Sequence, residues 1–233
     1  MQKLFTQLFV CCVVLFSAPL AAQNSKDAYL DIKKSAFKKQ YKQLAVMPIA
    51  VTPALGMPES MKQPIMDEVL KKFSKAKYDL LPSSEVAKIK QQFVSLYPGE
   101  KTAEQAELIS EHTMRELFYQ HPVNGVIRVQ VIPVAAPFVD DKAEWGGTSQ
   151  KIKHKGDGFF GAILGKKYGG NVAASAVQVL ITDRQGKPVY NWIGGIEVLM
   201  QRNGQQFEEL PPGSLWQKPK RVTKAAKYAV KPI

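Results

Sequence analysis

The residues of this chain that could do chemistry are chiefly lysines. The 233 residues carry 32 Lys and Arg against 20 Asp and Glu, a formal net charge of +12 at pH 7. Ammonium groups at this density attract anionic surfaces. We therefore predict a binding surface for an anionic partner. Phe159 and Phe160 are candidate apolar contacts if they are exposed, and the alternative is that they fold back and cover one face of the sheet. The candidate contact residues are Lys151, Lys153, Lys155, Phe159, Phe160, Lys166, Lys167, Lys220, Lys224 and Lys227.

Two enzyme-like motifs are present without the context that they need. Gly156 to Gly161 match the dinucleotide-binding string, but the lysine-rich residues before them do not form the buried strand that this motif follows. Ser35 and Ser74 each stand three positions before a lysine, without the partner motifs of penicillin-recognising enzymes. The three histidines do not have the spacing of a zinc site. We predict no cofactor, no metal and no catalytic residue.

Four acids support an alternative interpretation as an enzyme. They are Asp140, Asp141, Glu144 and Asp183. A hydrolase or lyase that cleaves a cell-wall polymer or another polyanion needs carboxylates close together in a cleft, one of them with a raised pKa. This alternative therefore predicts that at least two of the four carboxylates meet in the folded chain.

Residues 1–22 have the pattern of a cleaved secretory signal peptide. A positive start is followed by an apolar stretch and by Ala21 and Ala22, after which cleavage is expected. An uncleaved membrane anchor is the alternative. Both cysteines lie within this segment, so the mature chain has no thiol for a nucleophile, a zinc site or a disulfide. We predict a periplasmic protein, whose anionic contacts are envelope proteins, lipids or polymers rather than nucleic acid.

The remaining chain predicts one α/β domain. Residues 23–43 form a basic lead-in, and residues 44–233 form a two-layer sandwich in which helices pack on a mixed sheet. Within it, residues 135–171 are rich in Gly and Lys and show no clear period, which predicts a flexible insertion. Residues 219–231 predict an amphipathic helix with lysines on one face. We expect this helix to pack on the sheet, and a peripheral membrane protein that docks through it is the alternative.

Several shorter patterns predict local structure. The sequence Thr102 to Gln105 is typical of a capping box at the start of a helix. Strict alternation at Val177, Val179 and Ile181 predicts a half-buried strand, and Asp183 to Lys187 predict the turn after it. In the returning strand, two consecutive glycines, Gly194 and Gly195, predict a bulge.

These elements in this order resemble a group of envelope proteins. The apolar run Leu44 to Val51, the segment Tyr78 to Leu81, the strand Asn124 to Val129 and the hairpin Val177 to Val189 are similar to the curli secretion channel family, the amino-terminal domain of TolB and the outer-membrane activators of penicillin-binding proteins. The resemblance covers about residues 44–200 and includes no catalytic residue. It implies a non-enzymatic accessory protein for envelope assembly or for export of a surface structure, acting through protein contacts.

Overall fold

The computed structural model describes residues 28–30, 32–155, 169–204, 206–211 and 213–233. The predicted signal peptide lies outside these residues. The helices are α1 (Lys34–Gln40), α2 (Lys62–Lys75), α3 (Ser83–Val94), α4 (Ala103–Gln120) and α5 (Pro219–Ala229). The strands are β1 (Gln43–Val46), β2 (Ala50–Val51), β3 (Asp79–Leu81), β4 (Gly125–Val139), β5 (Lys142–Trp145), β6 (Thr148–Lys151), β7 (Gly169–Asp183), β8 (Pro188–Val198), β9 (Met200–Asn203) and β10 (Gln206–Glu209).

The centre of the molecule is a mixed β-sheet built around two long strands. Strands β4 and β7 are antiparallel and pair continuously from Gly125 opposite Asp183 to Val139 opposite Gly169. Strand β8 continues the antiparallel ladder on one side, whereas β1, β2 and β3 add parallel pairs on the other. The predicted mixed sheet packed against helices is therefore confirmed.

One face of the sheet carries the largest core, beneath α1, α2 and α5. The inward side chains of alternate strand positions, among them Val129, Val179 and Trp192, pack against Ile65 of α2 and Ala226 of α5. The apolar side of α5 is thus buried in the core, as predicted, and its lysines are exposed. Among the described residues, no helix has the length and apolar character required to cross a membrane.

The segment before residue 44 belongs to the same core. Phe37 of α1 is fully buried and contacts the rings of Tyr29, Tyr41 and Tyr190. Treating residues 23–43 as a lead-in outside the domain was wrong for residues 28–43, apart from residue 31. The error has a physical cause, because a seven-residue helix surrounded by lysines shows only one buried apolar residue and no period.

The opposite face of the sheet is covered by helices at one end. Helices α3 and α4 pack against each other and bury Val86 and Leu117 over Ala45 and Val126 of the sheet. Helices therefore lie on both faces here, which adds a third layer to the two that the sequence predicted. Arg184 joins this layer to the β7–β8 turn by donating hydrogen bonds to the carbonyl oxygens of Phe118 and Val123.

The other end of that face is covered by a β-hairpin. Strands β5 and β6 are joined by Gly146 and Gly147, both with positive φ, and they fold back over β7 and β8. Trp145 packs there in a second small core and donates a hydrogen bond to the carbonyl oxygen of Ser175 (3.0 Å). The flexible insertion predicted for 135–171 is thus wrong for residues 135–151 and 169–171, because these glycines serve a tight turn and not a mobile loop. Residues 156–168 lie outside the described part.

Candidate anion-binding groove

A groove lies where the hairpin meets the start of α5. It consists of two adjoining cavities of about 110 Å³ each, and Gln150 and Arg221 line both of them. The walls come from β6, from the end of β8, from the described residues of 210–218, which exclude residue 212, and from the first turns of α5. The other lining residues are Thr148, Ser149, Lys153, Gly195, Ile196, Glu197, Val198, Leu210, Ser214, Gln217, Lys218 and Lys224.

A buried carboxylate, that of Glu197, lines one of the two cavities. Its Oε1 accepts a hydrogen bond from the backbone N–H of Trp216 (2.7 Å), and its Oε2 lies 3.4 Å from Nη1 of Arg221. Trp216 is itself buried, has a positive φ of 64° and donates from Nε1 to the carbonyl oxygen of Leu55 (2.9 Å). Both oxygens of Glu197 are therefore engaged, one with Trp216 before α5 and one with Arg221 in α5.

The side-chain amide of Gln150 has a defined orientation. Its Oε1 accepts from the backbone N–H of Val198 (3.3 Å) and from Nη1 of Arg221 (3.4 Å). An amide oxygen held by two donors turns the NH₂ group, which can only donate, away from them. Strand β6 is held in register beside it, because Oγ1 of Thr148 donates to the carbonyl oxygen of Gly195 (2.7 Å).

Two of the lysines predicted from the sequence line this groove. Lys153 and Lys224 are exposed side chains in its walls, and Lys218 joins them. The predicted Lys151 and Lys220 are also exposed, and each is adjacent in sequence to a residue that lines the groove. None of these five lysines forms an ion pair within the described part of the chain. The groove thus combines several unpaired ammonium groups with one guanidinium and one neutralised carboxylate.

Other predicted residues lie elsewhere. Lys155 pairs with Glu208 (2.9 Å), and Lys227 pairs with Glu68 across to α2 (3.7 Å). The predictions on Phe159, Phe160, Lys166 and Lys167 lie outside the described residues. The sequence reasoning missed Arg221, Gln150 and Lys218. A signal was available for two of them, because positions 218, 221 and 224 recur every three residues and share one side of a helix.

The four acids of the enzyme alternative do not meet in one site. Asp183 lies at one end of the β4–β7 ladder and accepts hydrogen bonds from the backbone N–H groups of its own turn, whereas the other three acids follow the opposite end. Asp141 contacts His154 (2.9 Å) and Arg202 (3.6 Å). The hydrogen bond and charge of Lys142 lower the pKa of Glu144, and a general acid needs the opposite shift.

The sequence matches no protein-family model and no curated protein. Within the described residues, no three His, Asp or Glu side chains are grouped closely enough to hold a metal ion.

Proposed function

We propose that this protein is a non-enzymatic accessory protein of the cell envelope, exported by its first 22 residues, which binds an acidic surface of a partner protein during envelope assembly or export of a surface structure. The observation that carries the proposal is the groove between β6 and α5. Lys153 and Lys218 line one of its cavities together with Glu197, a carboxylate that Arg221 and a backbone N–H already occupy. The positive charge of the lysines is therefore left for a ligand.

The donor arrangement supports the same proposal. Ammonium groups, a guanidinium and an amide NH₂ all donate hydrogen bonds, and carboxylates only accept them. A partner with clustered Asp and Glu side chains matches such a surface in charge and in hydrogen bonding. Unpaired lysines also speed the encounter, because complementary fields raise association rates and salt weakens the effect.

The buried carboxylate favours binding over polymer cleavage. Catalysis by carboxylates requires a group that is accessible to the substrate and to water. Glu197 is only 6% exposed, and both of its oxygens already accept hydrogen bonds or face Arg221. The lysines of the groove can therefore attract an anion, but the carboxylate of Glu197 is not accessible to cleave it.

The experiment compares two double variants that have the same net charge. Lys153→Glu/Lys224→Glu reverses two groove lysines that form no ion pair with any described residue, whereas Lys155→Glu/Lys227→Glu reverses two lysines that are already ion-paired. Each tagged full-length protein is expressed in its native host, crosslinked in intact cells and recovered, and the bound proteins are identified by mass spectrometry. Far-UV circular dichroism checks that both variants are folded.

We expect the groove variant to lose crosslinks to a partner whose crosslinked segment is acidic, and the control variant to keep them. Equal loss in both variants would indicate a response to net charge alone. Unchanged crosslinking by the groove variant would overturn the proposal. Retention of the full-length chain in the cytoplasm would overturn the envelope part of it.

A further inference from the structure

A second surface lies on the sheet, between the two layers that cover its α4 side. Six half-buried side chains share that face and form what we call the open strip. They are Arg128, Gln130 and Ile132 on β4, Gln178 and Leu180 on β7, and Asn191 on β8. None of these residues lines the groove between β6 and α5, which we call the basic groove.

The open strip is bounded along β4 by covered residues. On one side, Val126 lies beneath Leu117 of α4. On the other side, Ala136 is buried in the small core of the β5–β6 hairpin with Trp145. The half-buried positions from residue 128 to residue 132, which none of the described clusters of buried residues includes, span about 13 Å at the rise of a β-strand. An α-helix with its side chains is about 10–12 Å wide. The gap therefore has the width of one helix laid across the strands.

Arg128 is the charged residue of the open strip. Its side chain is half-buried, and its Nε is buried without a hydrogen-bond partner in the part of the chain that the structure describes. No carboxylate of the described residues forms an ion pair with it. A guanidinium that has lost part of its water without gaining an anion is unfavourable, and a carboxylate can satisfy it through two parallel hydrogen bonds. The missing counterpart is thus an Asp or Glu side chain.

The rest of the open strip completes an amphipathic contact. Leu180 lies directly opposite Arg128 in the β4–β7 ladder and offers apolar surface beside the charge, as Ile132 does further along β4. Gln178 donates from Nε2 to Oδ1 of Asn191 (2.9 Å), which orients both amides on the face. Each amide keeps groups that can bond to a polar side chain of a neighbour.

We propose that the open strip is a docking site for one amphipathic α-helix of a partner protein, which places an Asp or Glu carboxylate on Arg128 and apolar side chains on Leu180 and Ile132. This site is separate from the basic groove, and it does not depend on the function proposed for that groove. It differs from the groove in kind, because one half-buried guanidinium selects a single carboxylate within an apolar contact. The groove presents exposed ammonium groups instead.

The test places a photo-crosslinking amino acid at position 130 in the full chain, produced in cells that make the protein naturally. The crosslinked peptide is identified by mass spectrometry. We expect one helical segment with an acidic residue and apolar residues at helical spacing. Introducing Arg128→Met should reduce that crosslink about tenfold or more, because it removes a charge-assisted hydrogen bond. Arg128→Lys keeps the charge without the planar pair of donors and should give an intermediate yield.

Two controls make the result decisive. The thermal midpoint of Arg128→Met should equal or exceed that of the parent, because the change removes an unpaired half-buried charge. The same crosslinker at exposed Leu96 should not yield the same peptide. The absence of a crosslink at position 130 would overturn the proposal, and so would a crosslinked segment without an acidic residue. A crosslink to a second copy of this chain, or a crosslink yield that Arg128→Met leaves unchanged, would also overturn it.

Discussion

Replacement of Glu197 by alanine tests whether this residue holds the groove together. The change removes the acceptor for the backbone N–H of Trp216 and the carboxylate beside Arg221. An unsatisfied buried N–H costs about 1–3 kcal/mol, and breaking a fully buried ion pair costs about 3–5 kcal/mol. The side chain of Arg221 is 35% exposed, so water can replace part of what it loses. We therefore expect Glu197→Ala to lower the free energy of unfolding by about 2–4 kcal/mol.

Glu197→Gln separates the hydrogen bond from the charge. The amide oxygen can still accept from Trp216, but the neutral side chain no longer pairs with Arg221. We expect a smaller loss of about 1–2 kcal/mol. Glu85→Ala removes a carboxylate from an exposed helical ion pair with Lys88 and should cost no more than about 0.5 kcal/mol.

Urea unfolding followed by circular dichroism and by tryptophan fluorescence measures all three variants. Trp216 is one of three tryptophans and its backbone N–H donates to Glu197, so the fluorescence of the folded state should change in Glu197→Ala. A free energy of unfolding of Glu197→Ala within about 0.5 kcal/mol of the parent's value would contradict this role of Glu197. Equal losses of stability in the Gln and Ala variants would also contradict it, because the hydrogen bond to the Trp216 N–H would then contribute nothing.

Three further predictions concern the fold. Gly194→Ala should cost about 3 kcal/mol in urea unfolding, because its Cβ would lie 1.9 Å from a backbone oxygen of α5; Gly186→Ala, in open space at a φ of +78°, should cost only about 1 kcal/mol, and equal losses would contradict the close approach. Thr102→Ala should cost about 1 kcal/mol through loss of the capping box, and an unchanged urea midpoint would refute this. Burial raises the pKa of Tyr78 to about 12 and the pKa of Tyr190 well above its ordinary value of 10.0. Their contribution to stability is complete below pH 10 and declines as pH rises towards the folded pKa values, by at most about 1.4 kcal/mol per pH unit for each tyrosine. Tyr190→Phe should make the decline in thermal midpoint less steep, and an unchanged slope would exclude Tyr190 as a source.

Local patterns predicted local structure well. The side chain of Thr102 accepts from the backbone N–H of Gln105, and the side chain of Gln105 accepts from the backbone N–H of Thr102, so the predicted capping box is confirmed. The predicted turn at Asp183 to Lys187 closes with a backbone hydrogen bond between those two residues (2.9 Å). Both features depend on residues within five positions of each other, which is why sequence spacing was enough to predict them.

Patterns with two physical explanations were less informative. Gly194 and Gly195 predicted a bulge, and the β7–β8 ladder does shift register beside them, between Ser175 and Ala176. The structure adds a reason that spacing cannot show, because a Cβ at Gly194 would strike α5 and a Cβ at Gly195 would strike Trp145. Glycine-rich sequence is typical of mobile loops and also of close backbone approach, and only the neighbours distinguish the two.

The amino-acid sequence by itself determined the α/β class, the excess of positive charge and the amphipathic helix at the end of the chain, because each follows from composition or from a short period. The tertiary structure alone decided which charges are available. Glu197 meets Trp216 and Arg221, which follow it by 19 and 24 positions, and Gln150 meets Arg221 from 71 positions away. Lys155 and Lys227 find acids elsewhere in the fold, whereas Lys153 and Lys224 remain unpaired among the described residues. Ionic and hydrogen-bonded contacts act over a few ångströms, so chain folding decides which partners come within reach.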